Sequence, residues 1–390
     1  MIKRISLPIQ LLCVIGFVFL FGGMLSTYTA QFFYTFSVWF KDALSFLLPF
    51  IVFSFVLTGI LSFKKNAPVV LLVMLALIFC SNALVALLSY VVIRGLLPLG
   101  ICSVDPAAML SADVTIDPLY VLSLPLALSS EYAMLAAVGF GLLFSFFPWP
   151  WFEQQVIRLK ELIEAILNIV IIPLLPLYVF GFLLKIQHEG MFMQLIQQYG
   201  STVFILVAMQ ISYLVWIYFV AVGFSLPRAL RAINIALPSY LTAFSTMSST
   251  ATVPVSVATA TKNTGDRALA GMAMPIMANV HLLGDAIGVP VLAMVTMTLY
   301  QVCLPSLSAF MHFVFYFCLS MFAVSGIPGG GIIVISPILK TVFGFTPEMV
   351  SIIITLYLLL DSFGTAANVM GDGALVIIVQ KVLKKLKIVT

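Results

Sequence analysis

Asp361, Asn368 and Asp372 stand near the end of the chain in a stretch, Ile352 to Val379, that is otherwise almost wholly apolar. Spaced by seven and then four positions, they share one face of a helix of 3.6 residues per turn. A carboxylate at membrane depth costs several kcal/mol even on generous scales, so each needs a partner, a cavity or an ion. Gly364, Gly371 and Gly373 thread the same stretch. They predict a loosened helix whose carbonyls turn toward a bound ion. Residues that only pair within a helix bundle would explain one such group. Three on one face are what a substrate or cation path requires.

The elements that position this stripe must themselves lie in a membrane. The chain has 390 residues, of which 63% are hydrophobic and 8% charged, against roughly 25% charged in soluble domains. It therefore reads as an integral membrane protein of several spans. A net charge of +4 gives no reason to expect nucleic acid. The cysteines at 13, 80, 102, 303 and 318 lack paired spacing, which argues against a metal or disulfide role. Lys3 and Arg4 precede a long apolar run without a small-residue cleavage site, so the run reads as a first span.

Hydropathy and breakers predict spans at 8–29, 42–63 (ending at Lys64-Lys65) and 68–93, then a polar external loop at 95–118. A fourth span follows at 119–147, with a suspected break at Pro125, and closes on Pro148-Trp149-Pro150-Trp151. Amphipathic residues 153–164 lead into a fifth span ending at Leu184, and a sixth covers 201–225. The second half is less regular. Residues 236–261 carry Ser245-Thr246-Met247-Ser248-Ser249-Thr250 and then Pro254, and residues 305–345 carry Ser325-Gly326-Ile327-Pro328-Gly329-Gly330-Gly331. Each suits the tip of a re-entrant hairpin, since irregular backbone at membrane depth is tolerated only where protein or a cavity covers it. Between them, 269–299 holds Asn279, His281, Gly284 and Asp285 at its centre. Asn279-Val280 with Gly284-Asp285 echoes Asn368-Val369 with Gly371-Asp372, as an internal repeat of hairpin and helix would. With the N-terminus inside and both hairpins returning to their own side, fourteen of the eighteen basic residues fall on the cytoplasmic side. The fold class is then all-α membrane protein: eight transmembrane helices plus two re-entrant helical hairpins with inverted repeats.

The runs at 245–254 and 325–331, and Asn-Val-Met-Gly-Asp at 368–372, resemble the two hairpin tips and the last-helix motif of the dicarboxylate/amino acid:cation symporters, the glutamate-transporter family. Order and spacing agree from about residue 70 to 383. The resemblance implies a homotrimer in a plasma (inner) membrane, with lipid around it and both termini cytoplasmic. It implies scaffold helices in 1–66 and 98–186, a transport-domain helix in 67–97 and a transport-domain core in 187–390, moving as an elevator. It places substrate at Ser248, Ser249, Asp285, Ile327, Gly331, Asp361, Gly364, Thr365 and Asn368. It places sodium at Asn368, Asp372, His281, Ser81 and Asn82.

Departures from the family pattern narrow the substrate. Gly364 and Met247 stand where members that take acidic substrates carry an arginine, so nothing remains to pair with a second substrate carboxylate. Leu283 replaces an acidic sodium ligand, Asp285 enters where a hydroxyl is usual, and His281 replaces an asparagine. No covalent chemistry is expected: an intramembrane hydrolase built on Ser249, His281 or paired aspartates has no matching signature. The expected function is symport of a neutral amino acid driven by sodium at a reduced number of sites or by protons, with no cofactor. The alternatives are a cationic amino acid held through Asp285, a dicarboxylate, or a channel or sensor that kept the fold.

Overall fold

The computed structural model describes residues 7–62, 68–96, 116–121, 130–147, 149–190, 192–324 and 329–386. Lys3-Arg4, Lys64-Lys65, most of the polar loop, the suspected break at Pro125, Pro148 and the second tip at 325–328, with Ile327, lie outside them. Every element among the described residues is helical. In order they are α1 (Leu7–Phe21), α2 (Thr27–Ser62), α3 (Pro68–Leu96), α4 (Ser130–Phe146), α5 (Pro150–Ile166), α6 (Ile172–His188) and α7 (Phe192–Ala221). There follow α8 (Leu226–Thr246), α9 (Ser249–Thr264), α10 (Arg267–Val280), α11 (Leu283–Leu299), α12 (Leu307–Ser320), α13 (Gly330–Phe343) and α14 (Pro347–Lys385). The chain is an all-α membrane protein; four spans, Val73–Leu96, Tyr199–Ala221, Arg267–Leu299 and Pro347–Lys385, are long and apolar enough to cross a bilayer among the described residues.

Several boundaries move from the sequence expectation. The first span stops at Phe21 rather than 29, because Gly22 and Gly23 start a 3-10 turn and the Ser26 hydroxyl accepts the Thr29 N–H at 3.2 Å to start a new helix. That helix, α2, begins at Thr27 and not at 42; Thr27, Thr29, Gln31 and Ser37 lower the hydropathy of a segment that is helical all the same. A π-helical turn at Leu167–Ile171 joins α5 to α6. Pro173 and Pro176 follow it; neither has a backbone N–H to donate, so the regular helix ladder is interrupted next to the wider turn.

Packing sorts the helices into two groups. α2 packs on α4, α5 and α6, and α1 packs on α6. α14 packs on α7, α8, α9 and α11, α3 packs on α11 and α12, and α9 packs on α10. The helix pair α8–α9 turns tightly at Met247, which adopts a left-handed φ of 51°, and Ser248. α12 and α13 also pack as a pair, and residues 321–323 and α13 reach across to α2. The hydrophobic windows of Arg267–Leu299 and Pro347–Lys385 are 94% and 83% buried, against 39% and 33% for Val73–Leu96 and Tyr199–Ala221. The two polar-bearing spans are thus the interior ones, as the cost of polar groups against lipid demands.

One expectation is corrected here. α14 runs unbroken through Gly364, Gly371 and Gly373, so these glycines do not loosen it. They let neighbours approach. A Cβ on Gly284 of α11 would run into the backbone of Gly364, one on Gly371 would lie 2.8 Å from Leu283 Cδ1, and one on Gly373 would lie 2.7 Å from the Tyr218 hydroxyl. The break falls instead in the preceding span, between α10 and α11, at His281 and Leu282, whose φ,ψ values of −100°, 91° and −110°, 66° leave the helical region. The echo between Asn279–Asp285 and Asn368–Asp372 is therefore one of sequence and not of backbone conformation.

Candidate functional site

The polar stripe of α14 meets the α10–α11 break, and two clusters form there. The first gathers around Asp361. Its Oδ2 accepts the Gly329 N–H at 2.8 Å, at the foot of α13, and its Oδ1 accepts the Thr365 hydroxyl at 2.9 Å. Asp285, in the first turn of α11, accepts the Tyr357 hydroxyl on Oδ1 at 2.9 Å. Gly331 and Gly364 close in on Asp285. A Cβ at 331 would stand 2.7 Å from Oδ2 and against the Tyr357 hydroxyl, and one at 364 would stand 3.4 Å from Oδ1. Asp285 and Asp361 are buried, and no lysine or arginine pairs with either among the described residues. All their donors are neutral.

The tip between α8 and α9 lies at the same level of α14, for the Phe244 ring meets the edge of Phe363 at 5.0 Å and Ala243 packs with Ala366 and Val369. Ser249 is buried at the start of α9, and the Ser248 hydroxyl caps that helix by accepting the Ala251 N–H at 3.2 Å. Ile327 falls outside the described residues. Of the expected substrate residues, Asp285, Gly331, Asp361, Gly364 and Thr365 thus converge, and Ser248 and Ser249 stand at the neighbouring tip.

The second cluster surrounds the break. His281 is fully buried; its Nδ1 lies 2.8 Å from Asp372 Oδ1 and its Nε2 lies 3.0 Å from the Ser81 hydroxyl. Asn82 donates its side-chain N–H to the Val280 carbonyl at 3.0 Å, where α10 ends. Two buried oxygens in this cluster, Asn82 Oδ1 and Asp372 Oδ2, have no hydrogen-bond partner among the described residues. Asn368 links the clusters: its Oδ1 accepts the Gly284 N–H at 2.6 Å, satisfying one of the orphan donors at the start of α11. All five expected cation residues, Ser81, Asn82, His281, Asn368 and Asp372, therefore sit around one discontinuity.

Sequence reasoning missed Tyr357, Gly329 and Gln210, whose side-chain amide donates to the Gly284 carbonyl at 3.3 Å. Tyr357 was within reach. It lies four positions before Asp361, on the same stripe. Gln210, on α7, carries no local signal of its partner.

Buried carboxylates without cationic partners, set around a broken span, are the furniture of a membrane carrier, in which irregular backbone lines the binding path. The model of the sodium:dicarboxylate symporter family matches residues 6–382, and the chain belongs to that family. Comparison with individually curated proteins gives no match. The family is one of transporters of small molecules, not of enzymes. The serine, histidine and aspartate in line at Ser81, His281 and Asp372 are accordingly no hydrolytic relay.

Proposed function

We propose that the chain is a secondary-active symporter that carries a small neutral amino acid together with a cation, sodium in the first instance and a proton as the alternative. One observation carries this reading. Asp361 is a buried carboxylate, held between the α13 foot and Thr365, whose donors are all neutral. An ammonium is the partner such a carboxylate lacks, because a charge-assisted hydrogen bond is about twice as strong as a neutral one. The lack of a basic side chain beside Asp285 and Asp361 among the described residues argues against a second carboxylate on the substrate. The orphan oxygens of Asn82 and Asp372 support a hard cation at the α10–α11 break, because oxygen ligands suit hard ions.

The packing supports an elevator division, with α1, α2, α4, α5 and α6 as scaffold and α3 with α7–α14 as the moving body. α13 and residues 321–323 lie against α2, whereas α8 leaves Leu226, Leu230, Leu237, Leu241 and Phe244 exposed. In this reading the α8–α9 tip faces the open, cytoplasmic side and α12–α13 forms the closed one, both pairs being re-entrant. Binding energy then shifts populations between two poses rather than driving covalent chemistry. Three copies assemble through their scaffolds, with both termini in the cytoplasm at a plasma or inner membrane.

The test is thermal-shift binding of the purified full chain against the twenty amino acids, with sodium and with choline, followed by radiolabelled uptake into proteoliposomes. Stabilisation by serine- or alanine-sized substrates, stronger in sodium, is expected. No stabilisation by any amino acid removes the assignment. Binding without uptake favours a sensor or channel that kept the fold.

A further inference from the structure

We infer that His281 positions the coupling cation's ligands without being one of them: it pins one oxygen of Asp372 and leaves the other, with the Asn82 carbonyl oxygen, to hold the ion. This rests on the cation-coupled reading above. Both ring nitrogens are already engaged. A cation held by Asp372 requires that side chain as the carboxylate, which only accepts; in that state Nδ1 carries the proton donated to Asp372, and Nε2 accepts the hydroxyl hydrogen of Ser81. A ring so bonded has no lone pair to offer.

What the ring does instead is set geometry. It is wedged between α3 and α14 at the break that ends α10, with no exposure. The oxygens of Ser81 and Asp372 lie on opposite edges of an imidazole. A hard ion holds its oxygens at roughly 2.0–2.6 Å, so no single ion reaches both across that width. The same bond occupies Asp372 Oδ1 and restrains the carboxylate, leaving Oδ2 buried and unengaged. Asn82 is restrained likewise, since its N–H is committed to the Val280 carbonyl beside His281, and Oδ1 remains. Two restrained, buried acceptor oxygens with no donor among the described residues are costly unless something positive meets them. A histidine that orients a ligating carboxylate is the arrangement that outer-shell partners of metal sites share, and losing such a partner costs affinity.

The experiment titrates sodium chloride against choline chloride at constant ionic strength and follows thermal unfolding of the purified full chain. The wild type is expected to show a saturable rise, and Asp372→Asn and Asn82→Ala to lose it. His281→Asn puts an amide near the place of Nδ1 and keeps a donor to Asp372. His281→Gln puts its amide near the place of Nε2 and leaves Asp372 without one. The asparagine variant should hold its half-saturating sodium within about threefold of wild type, and the glutamine variant should need at least roughly tenfold more, in the range seen for outer-shell partners. Equal shifts in the two variants, or no shift in either, overturn the inference. Should the glutamine variant not fold, Ser81→Ala, which frees only the far edge of the ring, decides the matter: a weaker sodium response supports positioning and an unchanged one overturns it. A wild type indifferent to sodium refutes the cation site itself, while sodium-dependent wild type with an indifferent His281→Gln refutes only the role of the histidine.

Discussion

Asp361 of α14 accepts the backbone N–H of Gly329, so the foot of α13 is fastened to the same carboxylate that we propose as the partner of a substrate ammonium. Under that proposal, substrate binding and the seating of the α12–α13 pair draw on one group. Asp361→Asn keeps a carbonyl oxygen for Gly329 but removes the charge. Amino-acid binding should weaken by about 1.5–3 kcal/mol, or roughly 10- to 150-fold, the worth of a hydrogen bond to a charged group. Competition binding measures this; an unaltered affinity would exclude Asp361 as the ammonium partner.

Gly331→Ala and Gly284→Ala should both destabilise, and in a defined order. At 331 the new methyl meets the Tyr357 hydroxyl and Asp285 Oδ2, side-chain atoms that can swing aside. At 284 it meets the Gly364 backbone, which cannot. Overpacking costs about 1–3 kcal/mol where neighbours yield, and more where they do not. Thermal unfolding in detergent should show a moderate loss for the first variant and failure to assemble for the second. The reverse order would mean that α11 and α14 do not touch at these glycines.

Tyr357→Phe removes the donor to Asp285 Oδ1 while keeping the ring. A buried acceptor stripped of its donor costs about 1–3 kcal/mol. The melting temperature should fall, and Asp285→Ala added to it should restore part of the loss, because the orphaned carboxylate is then gone as well. Additive losses in the double variant would show that the two side chains do not interact.

The proposed selectivity rests on Asp285 and Asp361 standing without a basic partner among the described residues. A dicarboxylate would bring a further negative charge to them, so aspartate should bind at least roughly 100-fold worse than alanine or serine. Gly364→Arg alone should not reverse this, because position 364 opens onto Asp285, 3.4 Å from its Oδ1, and the new guanidinium would pair there. Gly364→Arg with Asp285→Thr frees the guanidinium and should move the preference toward acidic substrates. Competition with alanine, serine, arginine and aspartate decides. Aspartate as the best wild-type ligand ends the neutral reading, and arginine as the best makes Asp285 the side-chain partner.

Periodicity made the stripe of Asp361, Asn368 and Asp372 legible, since offsets of seven and four need only one helix to be read. It could equally have shown Tyr357, which aromatic character disguised as core. The bonds from His281 to Ser81 and from Asp285 to Tyr357 span 200 and 72 residues and depend on packing that no local pattern carries. The glycines of α14 were misleading for a related reason. A glycine signals either conformational freedom or close approach, and only the position of Gly284 against Gly364 separates the two. The early spans were misplaced because the break at Gly22–Gly23 lies inside one apolar run, and because Gln31, Thr35 and Ser37 make 30–41 look like a loop by hydropathy although α2 already runs through it.

Asn368 accepts the Gly284 N–H from a position between Asp361 and Asp372 on the same helix face. Gly284 is next to Asp285 on one side and three residues from His281 on the other. A single amide therefore touches the backbone joining both clusters, and a shift of either cluster strains the other through it. Thermodynamic linkage then imposes a symmetry: by whatever factor the cation tightens the hold on the organic substrate, that substrate tightens the hold on the cation. Asn368→Ala would weaken both effects together, leaving two occupants that bind side by side in mutual indifference and a gradient with nothing to pull on.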